Sequence, residues 1–266
     1  GDVDAAGIKW VSGYPPNQAK GLPYITGVLC LNDSETGIPK AIMDANWITA
    51  WRTGAASGVC AKYMARPNSK TVAVIGLGVQ GRTNLMAMNE ALPELEQVKV
   101  FDVVERQASK YVTEMSSSLP NLSFETSKSI QETVRDADVV ITCTPILAEP
   151  NRFVRREWLK DTALALSVDY DSAFDADVMT GSSIFVCDDL NQYLWTQQQG
   201  VYFQEGYPIR NQIFGDMGEI CAGTKQPEPH GLRGAVLMGI ASHDIMTADL
   251  IYRKALKQGI GNRIEL

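Results

Sequence analysis

The sequence has 266 residues, 45% of them hydrophobic and 21% charged, with a formal net charge of −7. That length and apolar share suffice for one large or two ordinary domains with a sizeable core, and an acidic balance spread along the chain argues against a nucleic-acid partner. No apolar run approaches the ~20 residues of a membrane span, and the opening GDVDAAG is no secretory signal, so the expectation is a cytoplasmic protein with no membrane partner.

Up to about Arg66 the chain reads as part of one domain. The apolar run YITGVLCLND, a short turn containing Gly37, and IPKAIMD predict two antiparallel strands. From Trp47 the pattern changes to a helical stretch, ITAWRTGAASGVCAKYMA, rich in Ala and Gly; side chains this small let another backbone or a cofactor come close. Pro67, Asn68 and Ser69 punctuate it. Strands and helices then alternate: strand 71–75, helix 79–92, strand 98–101, helix 105–117, a strand around Phe124, helix 129–135 and strand 138–143. A further helix end and strand follow in EWLKDTALALSVD, and another strand in SSIFVCDD. EICAGTKQPEPHGLRG reads as a turn-rich link, AVLMGI as a final strand, and SHDIMTADLIYRKALKQG as a terminal helix ending at Gly259. Such alternation predicts an α/β fold with a doubly wound domain.

Strand 71–75 is apolar and β-rich, as expected of a strand covered on both faces, and it runs into Gly76, Gly78 and Gly81. This G-x-G-x-x-G spacing allows a tight turn, a close approach of backbone to a pyrophosphate, and close packing of the following helix. The helix starts near Val79 and Gln80, with its free N–H groups toward the phosphates. Strand 98–101 ends in Asp102, 21 positions beyond Gly81. A carboxylate there either accepts both ribose hydroxyls of an adenosine and repels a 2′-phosphate, which makes NAD expected over NADP, or is a capping or solvated turn aspartate.

Ligands of open α/β sheets lie at the carboxyl ends of the strands. Thr142 and Thr144, around Cys143, either line the nicotinamide or bond locally. Asp169 follows Val168 at the end of its strand, with Asp171, Asp175 and Asp177 close behind; composition does not choose among the four. Asp188 and Asp189 either bind a ribose or cap a helix. A substrate carboxylate needs cations, and Arg52, set among alanines beside Thr53, and Lys9, flanked by apolar residues, are the candidates. Each has an ordinary alternative, Arg52 as a surface residue with a buried stem and Lys9 as an edge-strand lysine. The five cysteines, Cys30, Cys60, Cys143, Cys187 and Cys221, are widely spaced with no C-x-x-C, and the histidines are His230 and His243. No metal site is expected, and the cysteines read as mostly buried small residues in a reducing compartment.

AAGIKWVSGYPPN, the stretch TGIPKAIMDANWITAWRTGAASGVCAKYMA, VAVIGLGVQG, DADVVITCTP, VCDD, MGEICAG and ASHDIMTADLIYRKALKQGIG together resemble the ornithine cyclodeaminase and mu-crystallin family, above all its archaeal-type alanine dehydrogenases. The resemblance covers nearly the whole chain, with the family's first several dozen residues absent. It implies a homodimer in which a Rossmann domain is inserted into a smaller α+β substrate and dimerisation domain. The expected boundaries are 1–66 for the first part of the substrate domain, 67–238 for the Rossmann domain, and 239–266 for a C-terminal helix returning to the first. It also implies that Lys9 contacts the substrate and takes part in catalysis, that Arg52 holds the substrate carboxylate, that Thr53 helps to hold the cofactor phosphate, and that Asp169 is the catalytic acid–base. Gly76, Gly78, Val79, Gln80, Gly81, Asp102, Thr142, Thr144 and Val168 complete the expected cofactor site. Two departures stand out: YDSAFDAD replaces the Pro-Gly-Lys run usual after the aspartate, and Leu237 stands where relatives tend to have a polar residue. The implied activity is NAD-dependent hydride transfer at the Cα of a small amino or imino acid. The alternatives are an ornithine cyclodeaminase-type lyase and a non-catalytic dinucleotide binder of mu-crystallin type.

Overall fold

The computed structural model describes residues 3–228 and 230–264. In chain order its elements are β1 (Ala6–Gly13), β2 (Ile25–Asn32), β3 (Pro39–Asp44), α1 (Ala45–Met64), β4 (Thr71–Ile75), α2 (Val79–Ala91), β5 (Gln97–Phe101), α3 (Glu105–Ser118), β6 (Ser123–Thr126), α4 (Ile130–Val134) and β7 (Val139–Thr142). Then come β8 (Leu164–Ser167), α5 (Ala176–Thr180), β9 (Ile184–Cys187), α6 (Leu190–Gln198), β10 (Gly215–Asp216), α7 (Met217–Cys221), β11 (Arg233–Val236) and α8 (Ala241–Gln258). They form two compact units. One runs up to Arg52 and resumes at Ile240; the other spans Thr53–Gly239, so the division falls inside α1.

The first unit holds an antiparallel sheet in the order β1-β2-β3. Pairing sets Lys9 opposite Leu29 and Trp10 opposite Val28, and side chains alternate faces along a strand. Leu29 and Leu31 therefore join Ala45, Ile48 and Ala248 in a small core with Met43, Ile245 and Tyr252. On the opposite face Ile8, Trp10, Val28 and Ile42 are exposed. Asp44 starts α1 by accepting the N–H groups of Asn46 and Trp47, an N-terminal cap.

The second unit is built on an eight-stranded sheet in the order β10-β9-β11-β8-β7-β4-β5-β6, with every ladder parallel. Val72 and Val74 of β4 enter a core with Leu85 and Met88 of α2 and Tyr111 and Met115 of α3. Ala73 and Ile75, pointing the other way, enter a second core with Val134, Phe174, Val178 and Tyr193. Burial on both faces is why these strands are continuous apolar runs. The order reverses at β4, which lies between β5 and β7, and so creates the crevice where ligands of doubly wound sheets bind.

The small residues of α1 meet backbone. A Cβ on Gly54 would stand 2.5 Å from the carbonyl oxygen of Thr83, and one on Gly58 would stand 3.0 Å from that of Ala87, both on α2. Several segments differ from the sequence reading. EWLKDTALALSVD contributes only a single turn, Arg156–Trp158, before β8; the last strand stops at Val236; and the turn-rich link begins with α7. Of the cysteines, Cys60 and Cys187 are buried, Cys30 and Cys143 half-buried and Cys221 exposed; all are free. Among the described residues no helix is long and apolar enough to cross a membrane.

Because the α1–α2 contact leaves no room for a methyl group, Gly54→Ala should destabilise the protein by about 1–3 kcal/mol, the usual cost of overpacking. Urea denaturation checks this; an unchanged midpoint would mean that the helices can separate at no cost.

Candidate functional site

The glycine turn after β4 is held from several directions. Gly76 has φ +88, a left-handed conformation that disfavours any side chain, and a Cβ there would lie 2.6 Å from the carbonyl oxygen of Cys143. Its N–H donates to the Phe101 carbonyl at 3.1 Å. The Leu77 N–H donates to Asp102 Oδ2 at 2.9 Å, and the other oxygen of Asp102 accepts the Val104 N–H at 2.9 Å. Arg82 and Gln107 donate to the Leu77 carbonyl, while Arg82 also pairs with Glu114 and lies over the Tyr111 ring. Asp102 thus ties the turn to β5 and keeps about half of a carboxylate's roughly four acceptor positions for hydroxyl donors.

The three glycines have different surroundings. A Cβ on Gly81 would stand 2.5 Å from the Gly76 carbonyl oxygen, whereas one on Gly78 would meet nothing within 4 Å. Gly81 is required by packing; Gly78 faces open space, where a pyrophosphate needs a bare backbone. Gly78 caps α2 without a side-chain bond, which leaves the first N–H groups of the helix for an anion. Val79 is exposed, and Gln80 accepts from Asn84. These residues fit a dinucleotide.

At the ends of β7 and β8, Asp169 gathers the expected threonines. Its Oδ1 accepts Thr142 Oγ1–H at 2.6 Å and Ser167 Oγ–H at 2.8 Å; its Oδ2 accepts Thr144 Oγ1–H at 2.5 Å and the Thr144 N–H at 3.0 Å. The residue is fully buried. Burial pushes its carboxyl above the ordinary range, and the three hydroxyls and the amide pull it back. With both oxygens engaged and no surface, Asp169 is a strand-end anchor. Both carboxylate oxygens are thus engaged by residues of the strand ends around them. Thr142 and Thr144 direct their hydroxyl protons at Asp169, the local bonding that the sequence left open. Val168, half-buried, lies between Ser167 and Asp169.

The other acids are also accounted for. Asp171 pairs with Arg152 at 2.9 Å and accepts the Phe203 N–H, Asp175 pairs with Arg155, and Asp177 is exposed in the first turn of α5. Asp189 caps α6 through the Gln192 N–H. Asp188, buried, accepts the N–H of Gly239 at 2.5 Å. Among the described residues no group of His, Cys, Asp and Glu could hold a metal ion.

In the first unit Lys9 and Arg52 converge on one acid. Lys9 Nζ lies 2.8 Å and Arg52 Nε 2.9 Å from Asp244 Oδ1, with all three side chains at most 11% exposed. Lys9 stands in β1, at the sheet edge, on the face that turns inward. Burial and the Arg52 charge hold its ammonium below the ordinary range, against the pull of Asp244. Arg52 is bound through Nε; among the described residues its two Nη groups meet no acceptor, and a guanidinium fork of this kind suits a carboxylate. Thr53 follows it, half-buried. Sequence reasoning missed Asp244 and Ser167. An acid in the first turn of a helix ordinarily reads as a helix-end charge, and only the tertiary contact distinguishes Asp244.

A parallel sheet reversing at a glycine turn, with an acid at the end of the neighbouring strand, defines a Rossmann-type dinucleotide-binding domain. The chain belongs to the ornithine cyclodeaminase/mu-crystallin family, whose model matches residues 1–259. It is 32% identical over 266 residues to an alanine dehydrogenase of Archaeoglobus fulgidus, covering 98% of this chain and 80% of the relative. The fold is similar to that of Thermococcus litoralis Delta(1)-pyrroline-2-carboxylate reductase in complex with NADH and L-proline, with a TM-score of 0.87, 34% identity and coverage of 99% and 82%. It is also similar to an archaeal alanine dehydrogenase dimer with bound NAD, with a TM-score of 0.86, 30% identity and coverage of 99% and 82%.

The different surroundings of the glycines predict opposite effects. Gly76→Ala should lose about 1–3 kcal/mol of stability in urea denaturation through its positive φ and the contact with Cys143. Gly78→Ala should stay within about 0.5 kcal/mol of the parent yet bind NADH more weakly by fluorescence titration. Equal NADH affinity would place the pyrophosphate elsewhere.

Proposed function

We propose that the protein is an NAD-dependent oxidoreductase that moves a hydride between nicotinamide and the Cα of a small amino or imino acid. The observation that carries this reading is the pair of cations sharing one oxygen of Asp244. Two positive charges against one negative leave a half-buried excess of +1, matched to one carboxylate, and the Arg52 fork is positioned to take it. The relatives support the substrate class, since their names specify alanine and pyrroline-2-carboxylate.

NAD supplies the hydride acceptor, and NADH the donor, at C4 of the ring. Gly78 and the first amides of α2 hold the pyrophosphate, with Val79 and Gln80 alongside. Asp102 accepts the ribose hydroxyls and disfavours a 2′-phosphate. Thr53, Thr142, Thr144 and Val168 complete the cofactor side, with Asp169 fixing the strand ends that carry the two threonines at residues 142 and 144. Lys9 and Arg52 fix the substrate carboxylate and so hold Cα in one place, the positioning on which hydride transfer depends.

The active form in this reading is a homodimer of the cytoplasm. An apolar patch of Ile8, Trp10, Val28 and Ile42 on one sheet face supports association with a second copy. Sedimentation equilibrium should give twice the chain mass; a monomer at all concentrations would remove the dimer from the proposal.

Alanine, ornithine, lysine, pyruvate with ammonia, and cyclic imino acids should be offered while NADH absorbance and ammonia are followed separately. NADH change in proportion to product is expected. Ammonia released from ornithine over many turnovers with no net NADH would make the protein a cyclodeaminase, and silence in both signals would make it a binder. Arg52→Lys should cut kcat/KM by about 10–100-fold, because a point charge replaces a charge-assisted fork worth ~1.5–3 kcal/mol.

A further inference from the structure

The glycine turn after β4 is braced from outside by α3. Gln107, Tyr111 and Glu114 lie at helical spacing and share one face of that helix. Two of them hold the turn directly. Gln107 Nε2 donates to the Leu77 carbonyl at 2.7 Å, and the hydroxyl of the fully buried Tyr111 donates to the Gly81 carbonyl at 2.9 Å. Glu114 acts through Arg82. Its Oε2 accepts Arg82 Nε at 2.8 Å and Arg82 Nη2 as well, while the guanidinium lies 5.2 Å from the centre of the Tyr111 ring. Arg82 Nη1 in turn donates to the carbonyls of Leu77, at 2.5 Å, and Gly78, at 3.0 Å. Four of the five N–H donors of this side chain are therefore engaged by the protein.

Those two carbonyls decide where two amides point. In a trans peptide the C=O and the following N–H face opposite ways, so a guanidinium that holds the Leu77 and Gly78 carbonyls on one side turns the N–H groups of Gly78 and Val79 to the other. Neither amide is used by the fold. The Gly78 N–H meets no acceptor among the described residues, and that of Val79 is the first of α2, with no partner inside the helix. The helical bond to the Gly78 carbonyl, from the Arg82 N–H, is stretched to 3.4 Å. The side chain of the same residue supplies a shorter one.

We infer that Arg82 is a positioning residue for the dinucleotide: clasped by Glu114, it aims the Gly78 and Val79 amides at the pyrophosphate without itself binding a phosphate. This rests on the reading of the turn as the pyrophosphate site. The other duty open to an arginine here is a direct ion pair with the phosphate, and the geometry opposes it. Two of its nitrogens face a carboxylate that would repel the same phosphate, and the third holds the two carbonyls. The bond from Arg82 keeps the Glu114 carboxyl below its ordinary range, with Lys110 a further cation 3.7 Å from its other oxygen, so the clasp persists through neutral pH. Amides ordered in advance raise affinity because less freedom is lost on binding.

Fluorescence titration of the whole chain with NADH reads the Kd and the number of sites separately. Arg82→Met should weaken NADH by about 10-fold with one site per chain retained. Arg82→Lys should bind as weakly as Arg82→Met, since an ammonium keeps the charge but not the planar fork. Glu114→Ala should weaken NADH by about 3-fold, because Arg82 loses its outer anchor. Tighter binding by Glu114→Ala, or parent affinity in Arg82→Lys, would show the arginine charge acting on the phosphate itself and would overturn the inference. So would an unchanged Kd in Arg82→Met, or fewer sites at the parent Kd, which marks loss of folded protein rather than of positioning. Glu114 is 43% exposed, so its variant should fold even where Arg82→Met does not, and the direction of its effect then decides. A parent chain that binds no NADH removes the reading of the turn and the inference with it, whereas a parent that binds beside unaffected variants removes the inference alone.

Discussion

Close approach of backbone to backbone is the constraint on which the second unit depends. Gly76 lies against the Cys143 carbonyl, Gly81 against the Gly76 carbonyl, and Gly54 against the Thr83 carbonyl, each at a separation that leaves no room for a Cβ. These contacts bring the ends of β4 and β7 and the helices α1 and α2 together without side chains between them. The crevice at the strand reversal exists because the turn after β4 can stay this tight while neighbouring chains diverge. A single methyl group at any of the three positions would have to be accommodated by moving a strand end or a helix.

Around this frame the carboxylates have a common architectural task. Asp102 accepts the Leu77 N–H, Asp138 those of Lys70 and Thr71, Asp169 that of Thr144, and Asp188 that of Gly239. Each pins one chain segment to the end of a neighbouring strand through a charge-assisted bond. At three of them the proton affinity reflects the balance of burial against these bonds. At Asp138 burial acts to raise the value, but the bonds from Lys160, Lys70 and Thr71 prevail and hold it below the ordinary range. At Asp169 and Asp188 burial prevails and the value rises. An acid at a strand end is therefore weak evidence for chemistry by itself, and its use depends on whether an oxygen remains free.

The alternation of strands and helices from Thr71 to Cys187 was legible because each apolar run is short, bounded by glycine or polar residues, and buried on both faces. The glycine turn was legible for the same reason, as was the close packing at Gly81. Short pieces were not. β10 has two residues, and α7 has five beside a run of Gly, Thr and Pro, too little for any period to register. In the site, Lys9 and Arg52 could be picked as cations in apolar surroundings. Their partner Asp244 is 192 positions from Arg52, and no local pattern joins them. For Asp169 the strand end was legible, but the hydroxyls that bond its oxygens come from separate segments, and no local pattern joins them either.

Asp244 also explains how two cations can be kept in a half-buried cluster at all. Burial and the charge of Arg52 both act to lower the proton affinity of Lys9, and the bond to Asp244 is the main force in the other direction. Without that carboxylate, Lys9 would shed its proton more readily, whereas a second carboxylate would cancel both cations. One shared acid is the intermediate case. It opposes the loss of the Lys9 proton while leaving two cations against one acid.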